Sequence, residues 1–230
     1  MVAERYRRNI GTITEEENVL LGQKKVCVVG CGGLGGYVIE SLGRIGVGHI
    51  TAVDFDIFEE SNLNRQIISE VPLLGKSKAE AAALRMKRVN PLITVLPVVT
   101  RLTEENAADI LGGHDIIVDA LDSLSTRRIL QNTAEKLDIP LVHGAIGGWY
   151  GQVCVVMPGD RTLDRLYNPD TKKGVESVMG TPGFTPAVIG SIEACETVKL
   201  LIGRGRPLRN RVLNIDLLYD EFVILELKPN

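Results

Sequence analysis

The stretch VCVVGCGGLGG, residues 26 to 36, decides how the rest of the chain is read. VCVV is a short apolar run bounded by glycine, the pattern of a strand buried on both faces of a parallel sheet. YVIESLGRIG, residues 37 to 46, follows with apolar residues at helical spacing. Between them Gly30, Gly32 and Gly35 match G-x-G-x-x-G, with Gly33 as an extra glycine. Glycine lets the backbone turn sharply and approach a phosphate, while the helix that follows offers free N–H groups and its positive end. Alone, this fingerprint fits a dinucleotide as well as a mononucleotide.

Outward from the turn, the same alternation repeats. Thr14 and Glu17 have capping-box spacing, so a helix is expected from about residue 15 into VLLG. Downstream, HITAVDFD (49–56) reads as a strand ending on Asp54 and Asp56, about 20 residues past the glycines, where an acid takes ribose hydroxyls. KSKAEAAALRMKRVN (76–90) is a helix, ITVLPVV (93–99) a strand and EENAADILGG (104–113) a short helix. HDIIVDALD (114–122) is a strand ending on Asp122, LSTRRILQNTAEKLD (124–138) a helix and IPLVHGA (139–145) a fifth strand. Strands alternating with crossover helices predict an α/β, Rossmann-like, doubly wound and mostly parallel sheet with helices on both faces.

From residue 151 the pattern changes. GQVCVVM (151–157) suits another strand, whereas residues 158 to 183 show no clear period and are expected to form a long loop. PAVIGSIEACETVKLLIG (186–203) reads as an amphipathic helix opened by Pro186, and RVLNIDLL (211–218) with EFVILELK (221–228) as a closing antiparallel hairpin. One domain is expected: an N-terminal helical arm (1–24), a nucleotide-binding core (25–157), the loop (158–183), and a C-terminal helix and hairpin (184–230).

Composition narrows the function. With 44% hydrophobic and 24% charged residues and a net charge of -3, the 230-residue chain reads as a globular protein without the basic surface that holds nucleic acid. No apolar run approaches a membrane span, and a cytoplasmic protein is expected. Cys27, Cys31, Cys154 and Cys195 form no C-x-x-C pair. His49, His114 and His143 have no second ligand at metal-binding spacing, so structural roles are expected for all three.

The residues beyond the acids separate the nucleotide readings. SNLNRQ (61–66) places Asn62, Asn64, Arg65 and Gln66 in the loop leaving the ribose-binding strand, and GKSK (75–78) adds Lys76 and Lys78. A hydride-transfer site needs at most one such cation, for a 2′-phosphate. A triphosphate under attack needs several, because negative charge must be spread as pyrophosphate leaves. Asp122 falls at the carboxyl edge of the sheet, where ligands bind and where a carboxylate suits Mg²⁺. Asp122 also suits an N-cap for the helix opening at Leu124, and Lys76 a solvated helix start. Trp149 and Tyr150 follow the fifth strand; they border a substrate channel or pack under the long loop.

This constellation resembles the ThiF/MoeB/HesA family, bacterial relatives of ubiquitin-activating enzymes. RYRRNI (5–10), GCGGLG (30–35), DFD (54–56), SNLNRQ, GKSK, DALDS (119–123), GQV (151–153) and PAVIGSIEACETVKLL (186–201) carry it. The resemblance implies ATP- and Mg²⁺-dependent adenylation of the C-terminal Gly-Gly carboxylate of a small ubiquitin-like sulfur-carrier protein, by a homodimer. It also implies roles: glycine-loop contact to the nucleotide (Gly30, Gly32, Gly33, Gly35), ribose binding by Asp54 with Asp56 beside it, phosphate binding by Asn62, Arg65 and Lys78, nucleotide contact by Gln66, Mg²⁺ at Asp122, and Arg8 reaching the phosphates of the partner subunit's site. Many members hold a structural zinc with two C-x-x-C pairs; the matching stretches RTLDRLYNPD (161–170) and LELKPN (225–230) lack cysteine, so no zinc is expected. The loop lacks cysteine too, so no covalent transfer to the enzyme is expected there. A related branch acting on a carbamoylated adenosine in tRNA, and a catalytically silent partner or scaffold subunit, are the competing readings; a dehydrogenase comes last.

Overall fold

A computed structural model describes residues 2–167 and 179–227. Its centre is one eight-stranded sheet: β1 (Lys25–Val29), β2 (His49–Val53), β3 (Thr94–Val98), β4 (Ile116–Asp119), β5 (Leu141–Gly147), β6 (Tyr150–Val156), β7 (Arg211–Asp216) and β8 (Glu221–Glu226), in the order β3-β2-β1-β4-β5-β6-β7-β8. The first five strands pair in parallel, and β5–β6, β6–β7 and β7–β8 are antiparallel. The chain steps from β1 outward to β3, then returns to build β4 and β5 on the other side of β1. That reversal opens a crevice at the carboxyl ends of β1 and β4, the place where doubly wound sheets bind ligands.

Seven α-helices flank the sheet among the described residues: α1 (Glu15–Leu21), α2 (Gly33–Ile45), α3 (Lys78–Val89), α4 (Ala107–Leu111), α5 (Leu124–Lys136), α6 (Thr162–Leu166) and α7 (Phe184–Ile202). Strand pleating splits the core. Val26 and Val28 pack on one face with α2 and α7 residues such as Val38, Leu42 and Ile189, while Cys27 and Val29 pack on the other with Leu111, Leu130 and Leu163 from α4, α5 and α6. The expected capping box is present at α1, where the Thr14 hydroxyl accepts from Glu17 N–H and the Glu17 carboxylate accepts from Thr14 N–H.

Three expectations are corrected. The fourth strand ends at Asp119, not Asp122, because the buried Asp119 carboxylate accepts the Leu121 N–H and turns the chain. Ser123, not Asp122, caps α5, its hydroxyl accepting from Thr126 N–H. Within 158–183, α6 replaces part of the expected loop: Gln131 of α5 accepts the Leu163 N–H and donates to Asp164, fixing the helix from outside. The rest of that expectation, 168–178, lies outside the described residues. No described helix is long and apolar enough to cross a membrane.

Candidate active site

The crevice is a cleft of about 540 Å³, lined by the glycine turn, the β2–α3 loop, the residues after β3 and the β4–α5 loop. Gly30 turns the chain with φ +99°, and a Cβ there would lie 2.5 Å from the Ala120 carbonyl oxygen. Only glycine fits that close approach. Gly30, Gly32 and Gly33 line the cleft. Gly35 does not: a Cβ on it would fall 1.8 Å from the Gly30 oxygen, so its task is to seat α2 against the turn.

Asp54 ties the two halves of the floor together. Its carboxylate accepts the Cys31 N–H at 2.7 Å and the Asp56 N–H at 2.8 Å. Burial pushes its pKa up, and those two N–H groups and the Lys78 ammonium pull it back. Cys31 is buried, and burial followed by the Asp54 charge holds its thiol well above the usual range. It is a small packing residue of the turn, not a nucleophile.

Lys78 opens α3 with Ser77 as its N-cap. Its N–H donates to the Asp56 carbonyl and its buried Nζ lies 3.4 Å from the Asp56 carboxylate, while Phe58 anchors the intervening loop in the core. Asn62 is buried, and its Oδ1 accepts the Glu59 N–H at 3.0 Å. Arg65 folds back over Ser61 and Asn64, giving a 2.9 Å hydrogen bond to each. Gln66 sits under the turn, its Nε2 3.4 Å from where a Gly32 Cβ would stand, and its buried Oε1 has no partner among the described residues. Asp122 is exposed on the opposite wall. Of the expected set, the fold therefore gathers Gly30, Gly32, Gly33, Asp54, Asp56, Asn62, Arg65, Gln66, Lys78 and Asp122 around one space.

Arg8 is not among them. It lies exposed on a 3₁₀ turn, Glu4–Asn9, and does not line its own chain's cleft. Of its basic neighbours, Arg7 is exposed and pairs with Glu4 on the same turn, whereas Arg5 Nη1 donates to Val89 O and to Asn90 Oδ1. Lys76 is exposed, as expected. Trp149 packs its ring 4.6 Å from that of Phe184 at the start of α7, and neither Trp149 nor Tyr150 lines the cleft.

Two groups escape a local reading. Phe55 and Arg101 line the cleft together, the guanidinium 3.6 Å from the ring centroid. The β2–β3 register, Val53 opposite Val98, brings these distant residues side by side. Behind the β4–α5 loop, Asp119, Arg127 and His143 are buried, and His143 Nδ1 lies 2.7 Å from Asp119 Oδ2, a carboxylate 24 positions away in sequence.

A glycine turn leading into a helix, an acid after the second strand and a converging set of amide and cationic side chains define a Rossmann-type nucleotide-binding enzyme. The match to the ThiF family model, over residues 6–230, makes the identification specific: the chain belongs to that family. It is 37% identical to the sulfur carrier protein adenylyltransferase of Thermus thermophilus, over 99% of this chain and 88% of that protein. It is 34% identical to the SAMP-activating enzyme E1 of Haloferax volcanii, over 99% and 86%, and 33% identical to the molybdopterin-synthase adenylyltransferase of Escherichia coli, over 91% and 86%. Family and relatives together make it an adenylyltransferase of the ubiquitin-like modifier-activating type. The same fold occurs in E. coli MccB with ATP, at a TM-score of 0.80 and 19% identity over 100% of this chain and 72% of that one.

Proposed function

We propose that the cleft binds ATP and transfers its adenylyl group to the C-terminal Gly-Gly carboxylate of a small ubiquitin-like sulfur-carrier protein. The observation that supports this most is the convergence of Asn62, Arg65, Gln66 and Lys78 on the space between the glycine turn and Asp122. In this reading Asp54 takes the ribose, and the glycine turn with the first turn of α2 takes the phosphates. A carrier carboxylate oxygen attacks the α-phosphorus, the new O–P bond forms, and the bond to the β-phosphate bridging oxygen breaks, its electron pair leaving with pyrophosphate. No base is required, because a carboxylic acid with a pKa of about 4 is already ionised. Arg65 and Lys78 stabilise the charge that builds on the equatorial and leaving oxygens. Mg²⁺ would be held by Asp122; one exposed carboxylate completed by phosphate oxygens is a donor set that suits this ion, which supplies charge neutralisation when bound.

The functional unit in this reading is a homodimer, with Arg8 on its exposed turn reaching the partner's phosphates. Four unpaired cysteines suit a reducing cytoplasm. Carrier-dependent exchange of labelled pyrophosphate into ATP tests the proposal: exchange only when a Gly-Gly carrier is present supports it, and exchange with none of the candidate carriers overturns it.

A further inference from the structure

The buried polar chain behind the β4–α5 loop has a direction. Gln152 Nε2 donates to the Tyr167 hydroxyl at 2.7 Å, and that hydroxyl lies 2.9 Å from His143 Nε2. A carboxylate accepts and does not donate, so His143 donates from Nδ1 to Asp119 Oδ2 at 2.7 Å. Asp119 in turn holds Leu121 N–H at 3.0 Å through Oδ1, and Arg127 donates to the Leu121 carbonyl. Both backbone groups of Leu121, the cleft residue just before Asp122, are thus fixed by buried side chains. Burial pushes the Tyr167 hydroxyl up, so it remains a donor at neutral pH.

We propose that Tyr167 and His143 are positioning residues for the reaction: acting through Asp119, they hold the loop that presents Asp122 to the nucleotide. The inference rests on the adenylation reading above. Tyr167 closes α6 while Asp122 stands at the cleft, so the chain joins α6 to the catalytic wall through the sheet. Neither residue lines the cleft. Their effect therefore falls on the steps that use Asp122 and not on carrier binding.

Tyr167→Phe is the direct test, because it keeps the ring edge-on to His143, at 5.6 Å and 87°, and near Arg127. Pyrophosphate exchange should show a kcat lowered about fivefold and a Mg²⁺ half-saturation raised by a similar factor, from the loss of the hydroxyl that joins Gln152 to His143, with KM for the carrier unchanged. Values of both within twofold of wild type overturn the inference, as does a change confined to carrier KM. Should that variant not fold, His143→Asn, which keeps a donor toward Asp119, should retain more activity than the apolar His143→Leu; equal losses in the two overturn it. A wild-type protein that binds no MgATP by calorimetry and exchanges with no carrier would instead remove the adenylation reading.

Discussion

Glu193 offers a quantitative test of the fold's least comfortable group. It sits in α7 with no exposed surface, and neither carboxylate oxygen has a partner among the described residues. Gly144 of β5 makes the room, since a Cβ there would lie 2.4 Å from Glu193 Cδ. Burial pushes its pKa well above 4.5, the Asp119 charge adds to this, and Arg127 opposes it. The folded protein therefore keeps a proton that the unfolded chain releases near pH 4.5. Stability from that proton is complete below the unfolded value and is lost as pH rises toward the folded one, at about 1.4 kcal/mol per pH unit. Glu193→Gln keeps the shape and does not titrate. For a chain of this size the variant should gain on wild type by about 3–6 °C in Tm for each pH unit above the unfolded value, until the folded pKa is passed. Calorimetric scans of both proteins from pH 5 to 8 measure this. A Tm difference that stays flat with pH, or a variant that loses ground as pH rises, would show an ionised and compensated carboxylate in place of a buried neutral one.

Three further outcomes follow from the site. Gly30→Ala puts a side chain at φ +99° and 2.5 Å from the Ala120 carbonyl, so melting temperature should fall by several degrees and exchange by at least about tenfold; wild-type values for both would contradict the turn's role. Asp122→Asn should cut exchange by about a hundredfold while shifting stability by less than about 0.5 kcal/mol, because the residue is exposed; a large loss of stability in urea unfolding would mean it is structural. Arg8→Ala and Arg65→Ala subunits, each nearly inactive alone, should recover about a quarter of wild-type exchange after unfolding and refolding together, since half the dimers then carry one complete site. No recovery would place Arg8 outside the partner's site.

What the sequence revealed depended on how locally each feature is encoded. The strand–turn–helix at 25–45, the α1 capping box and the helix over 184–202 are each written in adjacent residues, and each forms near where the pattern puts it. The cationic loop was legible because Asn62, Arg65, Gln66 and Lys78 come close together after one strand. Asp122 was placed on the right wall but on the wrong support, because the turn is made by a buried side-chain bond at Asp119 that hydropathy does not carry. His143 read as an isolated histidine, since its carboxylate arrives through β4–β5 pairing and not through spacing along the chain. Phe55 and Arg101 were missed for the same reason, meeting only across the β2–β3 register. The helix at 162–166 has no period of its own to read; Gln131 and the Arg161 pairing with Glu135 and Asp164 hold it from α5 and from within.

In the function proposed above, this cleft activates a carboxylate by attack at the α-phosphorus of ATP. Isotope exchange between pyrophosphate and ATP, run with and without a Gly-Gly carrier on wild type and on Arg65→Ala, tests it most directly. Wild type should show carrier-dependent exchange, with a carrier that gains the mass of an adenylyl group, and the variant at least about a hundredfold less. Equal exchange in the two proteins, or release of orthophosphate in place of pyrophosphate, would contradict it.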